Sequence, residues 1–207
     1  MYIPPAFAVT DPVKLGEIIS ANSFGLLISR DGDSFFASHL PFLFDPRRGK
    51  SGVLRCHMAK ANRHWQLFKE GEESFVIFNG PHAYISPTWY VAEAAVPTWN
   101  YVTVHVHGVP RLLQTEAELE QVLDETVKKH ESGMPNPWTP NLPPEMKSKL
   151  QQALVGFEIE ITRMEGKFKL GQNRSKEDRQ KMLEALESSP DSESIRLAEI
   201  MRREFQD

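Results

Sequence analysis

The sequence predicts a mainly β protein, a small closed or split β-barrel with helices at its ends and in one long insertion. Three observations lead there. Apolar runs of strand length are joined by hairpin-length links rather than by helical crossovers, which argues against a parallel βαβ sheet. One segment, TWNYVTVHVHGV (Thr98 to Val109), alternates with period two. Helix-start signals fall at the beginning of the chain, after residue 114 and near the carboxy end.

The elements follow in order. Asp11-Pro12 is an N-cap followed by proline at the first helical position, and Leu15, Ile18 and Ile19 share a face, so a short helix reaches about Ala21. Phe24 to Ser29 is an apolar strand, and Arg30 to Asp33 is a turn with Gly32 where positive φ is needed. Ser34 to Phe44 returns as a strand in which Pro41 marks an edge or bulge. A basic turn, Pro46 to Gly52, leads to the strand Val53 to Met58, and Ala61 to Lys69 is a helical turn. Ser74 to Phe78 is a buried strand that Gly80-Pro81 is expected to break. The aromatic segment FNGPHAYISPTWY (Phe78 to Tyr90) is then either a lid on the core or one wall of a site for a flat ligand.

In the strand Thr98 to Val109, Val102, Val104 and Val106 fall on one face and Thr103, His105 and His107 on the other. Thr115-Glu-Ala-Glu118 is a capping box opening a helix to about His130. A proline-rich connector, Met134 to Pro144, precedes a short helix over about Glu145 to Leu150. Phe157 to Met164 is the last long strand, Ser175 to Asp178 repeats the capping pattern for a helix to about Glu187, and a final helix covers about Glu193 to Phe205. The sum is about six strands. The expected division is a barrel domain over 1–172, with its helical insertion at about 115–152, and a helical extension over 173–207.

Composition narrows the function classes. A formal net charge of −4 argues against a uniformly basic surface that wraps nucleic acid. Cys56 is the only cysteine, so no internal disulfide can form and a reducing cytoplasm is the simplest setting. The opening MYIPPAFAVTD has neither a basic nor a continuous apolar region of a signal peptide, and no window is long enough to span a membrane. The signatures GxGxxG before a helix, GxxxxGK[ST] and GxSxG are absent. Cys56 and His57 are adjacent on a strand and point to opposite faces, which makes a poor nucleophile–base pair. His105 and His107 face the same way, yet no third metal ligand stands at useful spacing. Basic residues gather at Arg47-Arg48-Lys50, at Lys60 with Arg63, and at Lys167, Lys169 and Arg174. The last two groups neighbour small polar residues and suit a phosphate, while Gln172 and Asn173 both donate and accept at the edge of a flat ring.

Five ordered blocks carry a resemblance: SHLPFL from Ser38, CHMAKAN from Cys56, FNGPHAYISPTWY from Phe78, VPTWNYVTVHVHG from Val96 and GFEIEITRMEGKFKLGQNRS from Gly156. Together they resemble the PaiB family of FMN-binding negative transcriptional regulators over nearly the whole chain. The resemblance implies a split barrel of the flavin-reductase and pyridoxamine-phosphate-oxidase kind, a homodimer with FMN in clefts at its interface, and repression of sporulation and protease genes. It implies that Ser38, His39 and Leu40 lie along the isoalloxazine ring, and that His57, Met58, Ala59, Lys60 and Asn62 hold ribityl and phosphate groups. Trp99 and Asn100, or Lys169, Gln172 and Asn173, would reach the flavin from the partner subunit. Cys56 is a departure, standing where the motif is expected to carry glycine. The aromatic segment is then expected to be a rigid loop beside the flavin cleft and the dimer seam.

Two other functions remain open on sequence grounds. One is an FMN-dependent oxidoreductase, with His39, His57 and His82 as proton donors. The other is haem binding or degradation through His105 or His107. Direct DNA contact would fall to the last two helices, where acidic residues are about as numerous as basic ones.

Overall fold

The computed structural model describes residues 1–91 and 95–205. Its strands are β1 (Ala8–Val9), β2 (Phe24–Asp31), β3 (Ser34–Pro41), β4 (Leu43–Asp45), β5 (Val53–Ala59), β6 (Ser74–Ile85), β7 (Thr98–Leu112) and β8 (Leu154–Lys169). Its helices are α1 (Pro12–Ala21), α2 (Glu116–Glu131), α3 (Pro144–Gln152), α4 (Lys176–Glu187) and α5 (Ser192–Phe205). The hydrogen-bonded strand order is β3-β2-β6-β7-β8-β5-β4, with β1 pairing β8. The pairs β1/β8, β2/β3, β2/β6, β4/β5 and β5/β8 are all antiparallel.

The chain groups into two compact units. One takes the described residues of Met1–Ile18, Asn79–His105 and Glu165–Asp207, the other Ile19–Phe78 and Val106–Met164. In the second unit, β2 and β3 form a hairpin in full register from Phe24↔Pro41 to Asp31↔Ser34, turning at Gly32 with φ 62°. The positive φ is cheap for a residue without Cβ. Leu27 and Ser29 on β2 face inward with Ser38 and Leu40 on β3. Phe42, Phe78 and Phe157 form the aromatic centre of this unit: Phe42 meets both others edge-on, and Phe68 closes on Phe157 at 5.1 Å. The capping box of α2 is complete, with Thr115 Oγ1 accepting from the Glu118 N–H and the Glu118 carboxylate accepting from the Thr115 N–H. The helix buries Val122 and lies on β5, where Arg55 donates to Glu125 through both terminal nitrogens.

In the first unit, α4 and α5 pair through Met182, Leu186, Leu197 and Met201, all fully buried. Ser175 caps α4 by accepting from the Asp178 N–H at 3.0 Å. The reciprocal half of that cap is missing, because the Asp178 carboxylate accepts instead from the Val91 N–H at 2.8 Å.

Several sequence expectations are corrected. There are eight strands among the described residues, not about six. The strand expected over Ser34 to Phe44 is interrupted at Phe42, whose N–H turns to Ser23 O, leaving β4 to pair with β5. Gly80-Pro81 does not end its strand: β6 runs twelve residues to Ile85. The buried positions shift phase there, from Ser74, Val76, Phe78 and Gly80 to Pro81, Ala83 and Ile85. Gly80 allows the close approach, since a Cβ there would meet Val102 at 3.1 Å. The residues FNGPHAYI are therefore strand, and only Pro87–Trp89 forms a helical turn. The last strand is longer than expected at both ends, because Leu154 to Gly156 continue the β5 pairing and Gly166 and Lys167 pair with β1.

Candidate functional site

The residues named from the sequence fall into two groups, one in each unit. The first lies on β3 and β5, which pack side by side, and on the turn after β5. The Cys56 thiol, facing the core, donates to Pro41 O at 3.0 Å. Desolvation pushes this thiol far up, so it is a small buried hydrophobe and no nucleophile. Leu40 and Met58 are core side chains and offer a ligand only their backbone. His39 is exposed, with its ring stacked on Phe24. Ala59 and the Lys60 side chain are exposed, and the Lys60 backbone is fixed by its N–H bond to Ala153 O at 2.7 Å and by Trp65 Nε1 donating to its carbonyl at 3.0 Å.

Asn62 joins the two blocks. Its Nδ2 donates to Ser38 Oγ at 3.0 Å, and its Oδ1 accepts from the His64 N–H at 3.1 Å. Ser38 is further held by His64 Nδ1 at 2.9 Å. His57 is half-buried with Nδ1 shut off from solvent and without a hydrogen-bond partner. Burial lowers its pKa, so the imidazole stays neutral. A buried nitrogen left without a partner costs about 1–3 kcal/mol, which a bound polar group can offset.

The second group lies on β7, at the end of β8 and on the following turn. Asn100 is 1% exposed and its Nδ2 has no partner. Lys169 Nζ donates to Thr98 Oγ1 and to Trp99 O, the latter at 2.7 Å. Partial burial, with the neighbouring Lys167 and Arg174 charges, lowers its pKa. Gln172 is engaged at both ends by the turn itself: its Oε1 accepts from Leu170 N at 2.8 Å and its Nε2 donates to Phe168 O at 2.5 Å. Asn173 is exposed, and the Arg174 guanidinium lies over the Tyr90 ring at 4.4 Å. Lys167 is buried, donating to Tyr2 O and flanked by the Tyr2 and Tyr101 rings. Trp99 is exposed and forms an outward aromatic group with His82 and Tyr84, at ring distances of 5.7 and 6.2 Å.

Each group thus contains a buried nitrogen without a partner and at least one lysine, a set that suits an anionic, ring-bearing ligand such as FMN. No cluster of three or more His, Cys, Asp or Glu able to hold a metal occurs among the described residues. His107 instead lies 3.0 Å from Arg163 Nη2 and packs against Phe75, with the rings tilted by 37° at 4.7 Å.

Sequence reasoning missed His64, Ser29 and Ser74. His64 has no exposed surface, and its Nε2 lies 2.9 Å from Ser29 Oγ, which in turn lies 2.7 Å from Ser74 Oγ. The signal was present in part. Ser29 shares the inward face of β2 with Leu27, and a polar side chain on a core face requires a partner.

Comparison with known proteins bears on the same residues. Residues 1–163 match the family described as "Putative FMN-binding domain". The chain is 34% identical over 203 residues to the protease synthase and sporulation protein PAI 2 of Bacillus subtilis, covering 97% of this chain and 96% of the relative. It is 27% identical to an uncharacterized protein of Emericella nidulans, over 98% and 96% of the two chains. Among solved structures, a flavocytochrome from Azotobacter vinelandii superposes with a TM-score of 0.63 at 18% identity, covering 83% of this chain and 74% of that one. An FAD- and haem-binding protein from Mycobacterium smegmatis gives 0.61 at 14% identity, covering 83% and 78%. These structures share the fold, a split barrel with peripheral helices. The family match and the Bacillus relative together place the chain in the PaiB-type FMN-binding family, with a flavin as its cofactor.

Proposed function

We propose that this protein is a PaiB-like negative regulator of sporulation and protease genes whose flavin is the signal it senses. The observation that carries the regulatory reading is the end-to-end similarity to the Bacillus sporulation protein. FMN would be held by His57, Lys60 and Ser38 of one protomer, with Asn100 and Lys169 reaching it from the partner subunit across the dimer seam. When bound, the flavin supplies reversible electron uptake. The chain's own contribution is to fix donors around it and to keep His57 neutral.

The homodimer belongs to the same proposal. The exposed ring group of Trp99, Tyr84 and His82 has the character of an interface core, where aromatic side chains are enriched. Direct reading of DNA by α4 and α5 is disfavoured by how their cations are used. Arg196 pairs with Glu193, Arg202 with Glu187 and Lys181 with Glu184, while Arg179 stacks on Phe205. Repression would then run through a protein partner or a small-molecule pool.

The test is titration of FMN into the purified chain, followed by absorbance and flavin fluorescence, with Lys169→Ala and Lys60→Ala alongside. Saturable binding, weakened at least tenfold by either variant, supports the cleft. Light scattering reports the dimer, and a gel shift with promoter DNA reports direct contact. Steady NAD(P)H-dependent flavin reduction would replace the sensor reading by an oxidoreductase.

A further inference from the structure

The hydrogen-bond chain behind Ser38 has a direction. It contains Asn62, Ser38, His64, Ser29 and Ser74, all within one unit and linked by contacts of 2.7–3.0 Å. Asn62 is fixed at its near end, because its Oδ1 accepts from the His64 N–H and so its Nδ2 must be the group facing Ser38. Ser38 Oγ therefore already accepts one hydrogen bond.

A neutral imidazole carries a proton on one nitrogen only. His64 is neutral, since burial and the Arg63 charge lower its pKa to about 4. If Nε2 carried the proton, it would donate to Ser29, and Ser29 would donate to Ser74. The Ser74 hydroxyl would then be a donor with no acceptor among the described residues, in a residue only 4% exposed. That arrangement strands a buried O–H. With the proton on Nδ1, Ser74 donates to Ser29, Ser29 donates to Nε2, and Nδ1–H donates to Ser38, so the proton left over moves from the sealed Ser74 to Ser38, which belongs to the candidate ligand site where a bound group can accept it. Both lone pairs of Ser38 are then filled, by Asn62 and by His64. Its own proton has no acceptor among the described residues.

We infer that His64 is a positioning residue that holds Ser38 as a one-way hydrogen-bond donor, so that the site requires a hydrogen-bond acceptor at this point of its ligand. The inference rests on the flavin-site reading above. The acceptor would be a carbonyl oxygen, an unprotonated ring nitrogen or a phosphate oxygen of FMN. A ligand presenting an N–H or O–H there meets a second donor and is rejected.

The experiment uses the full chain labelled with 15N-histidine, before and after saturation with FMN, and reads the His64 tautomer from its two ring nitrogen shifts. An Nδ1–H signal in the FMN-loaded protein is expected. Ser38→Ala should weaken FMN roughly tenfold, Ser38→Thr should restore it, and Ser74→Ala should leave both affinity and tautomer unchanged. FMN binding with His64 as Nε2–H, or Ser38→Ala binding FMN as well as the unmodified chain, overturns the inference while leaving the flavin reading intact. Failure of FMN to bind at all removes both. The tautomer is read on the unmodified chain, so the inference stays testable if a variant does not fold.

Discussion

Burial of His64 makes a prediction about acid stability that needs no ligand. Its pKa is about 4 in the folded protein against an ordinary value of 6.5. The unfolded chain therefore binds the proton more tightly, and stability is lost as pH falls. The contribution is fully present above pH 6.5, declines between 6.5 and about 4, and is constant below. Between pH 7.5 and pH 5 the linkage relation gives a loss of about 2 kcal/mol from this residue. The perturbation is His64→Gln, which removes the titration while keeping a polar side chain between Ser29 and Ser38. The assay is urea unfolding at pH steps across that interval. His57, whose pKa is also lowered by burial, titrates in both proteins and cancels in the difference. The unmodified chain should lose about 2 kcal/mol more than the variant. Parallel curves would refute the reasoning, because they would mean that His64 is solvated or charged in the folded state.

Other perturbations test the packing and the helix termini. Phe157→Ala removes the ring shared by Phe42 and Phe68 and should lower unfolding stability by about 3–5 kcal/mol, read as a drop in the denaturant midpoint. Gly108→Ala would place a methyl 2.3 Å from Glu160 O, a backbone atom that cannot yield without distorting β8, and should cost about 1–3 kcal/mol by thermal unfolding. Glu158→Gln leaves Arg48 and Arg111, now at 2.9 and 2.8 Å from its carboxylate, facing a neutral amide, and should cost about 1.5–3 kcal/mol with reduced salt sensitivity. Thr115→Ala opens the capping box and should cost about 1 kcal/mol, with faster amide exchange in the first turn of α2.

The parts of the fold that were legible in the sequence are those set by local rules. Pro12, the Thr115 capping box, Gly32 and the alternation of Val102, Val104 and Val106 each encode their element within a few residues, and each stands as expected. What escaped was set by distant partners. Pro81 lacks an N–H and reads as a breaker, yet β6 continues because the strand can shift its buried face by one residue. Asp178 reads as the second half of a capping box, yet its carboxylate serves Val91. The site shows the same division. The blocks around Ser38 and His57 could be named from their residues, but not that Asn62 is engaged by Ser38 and the His64 backbone or that Gln172 is engaged by its own turn. Nor does the sequence tell that a histidine with no exposed surface stands behind Ser38, since that depends on three segments meeting.

The sealed thiol of Cys56 limits how this protein can respond to oxidants. It is the only cysteine in the chain, it is 1% exposed, and its hydrogen is engaged by Pro41 O. Peroxide, disulfide reagents and alkylating agents have no low-pKa sulfur to attack. A covalent dimer through sulfur is closed to the native fold as well. Any sensitivity of this protein to cellular redox state has to enter by a route such as electron transfer to a ligand, and not by the thiol chemistry that many redox-responsive proteins use.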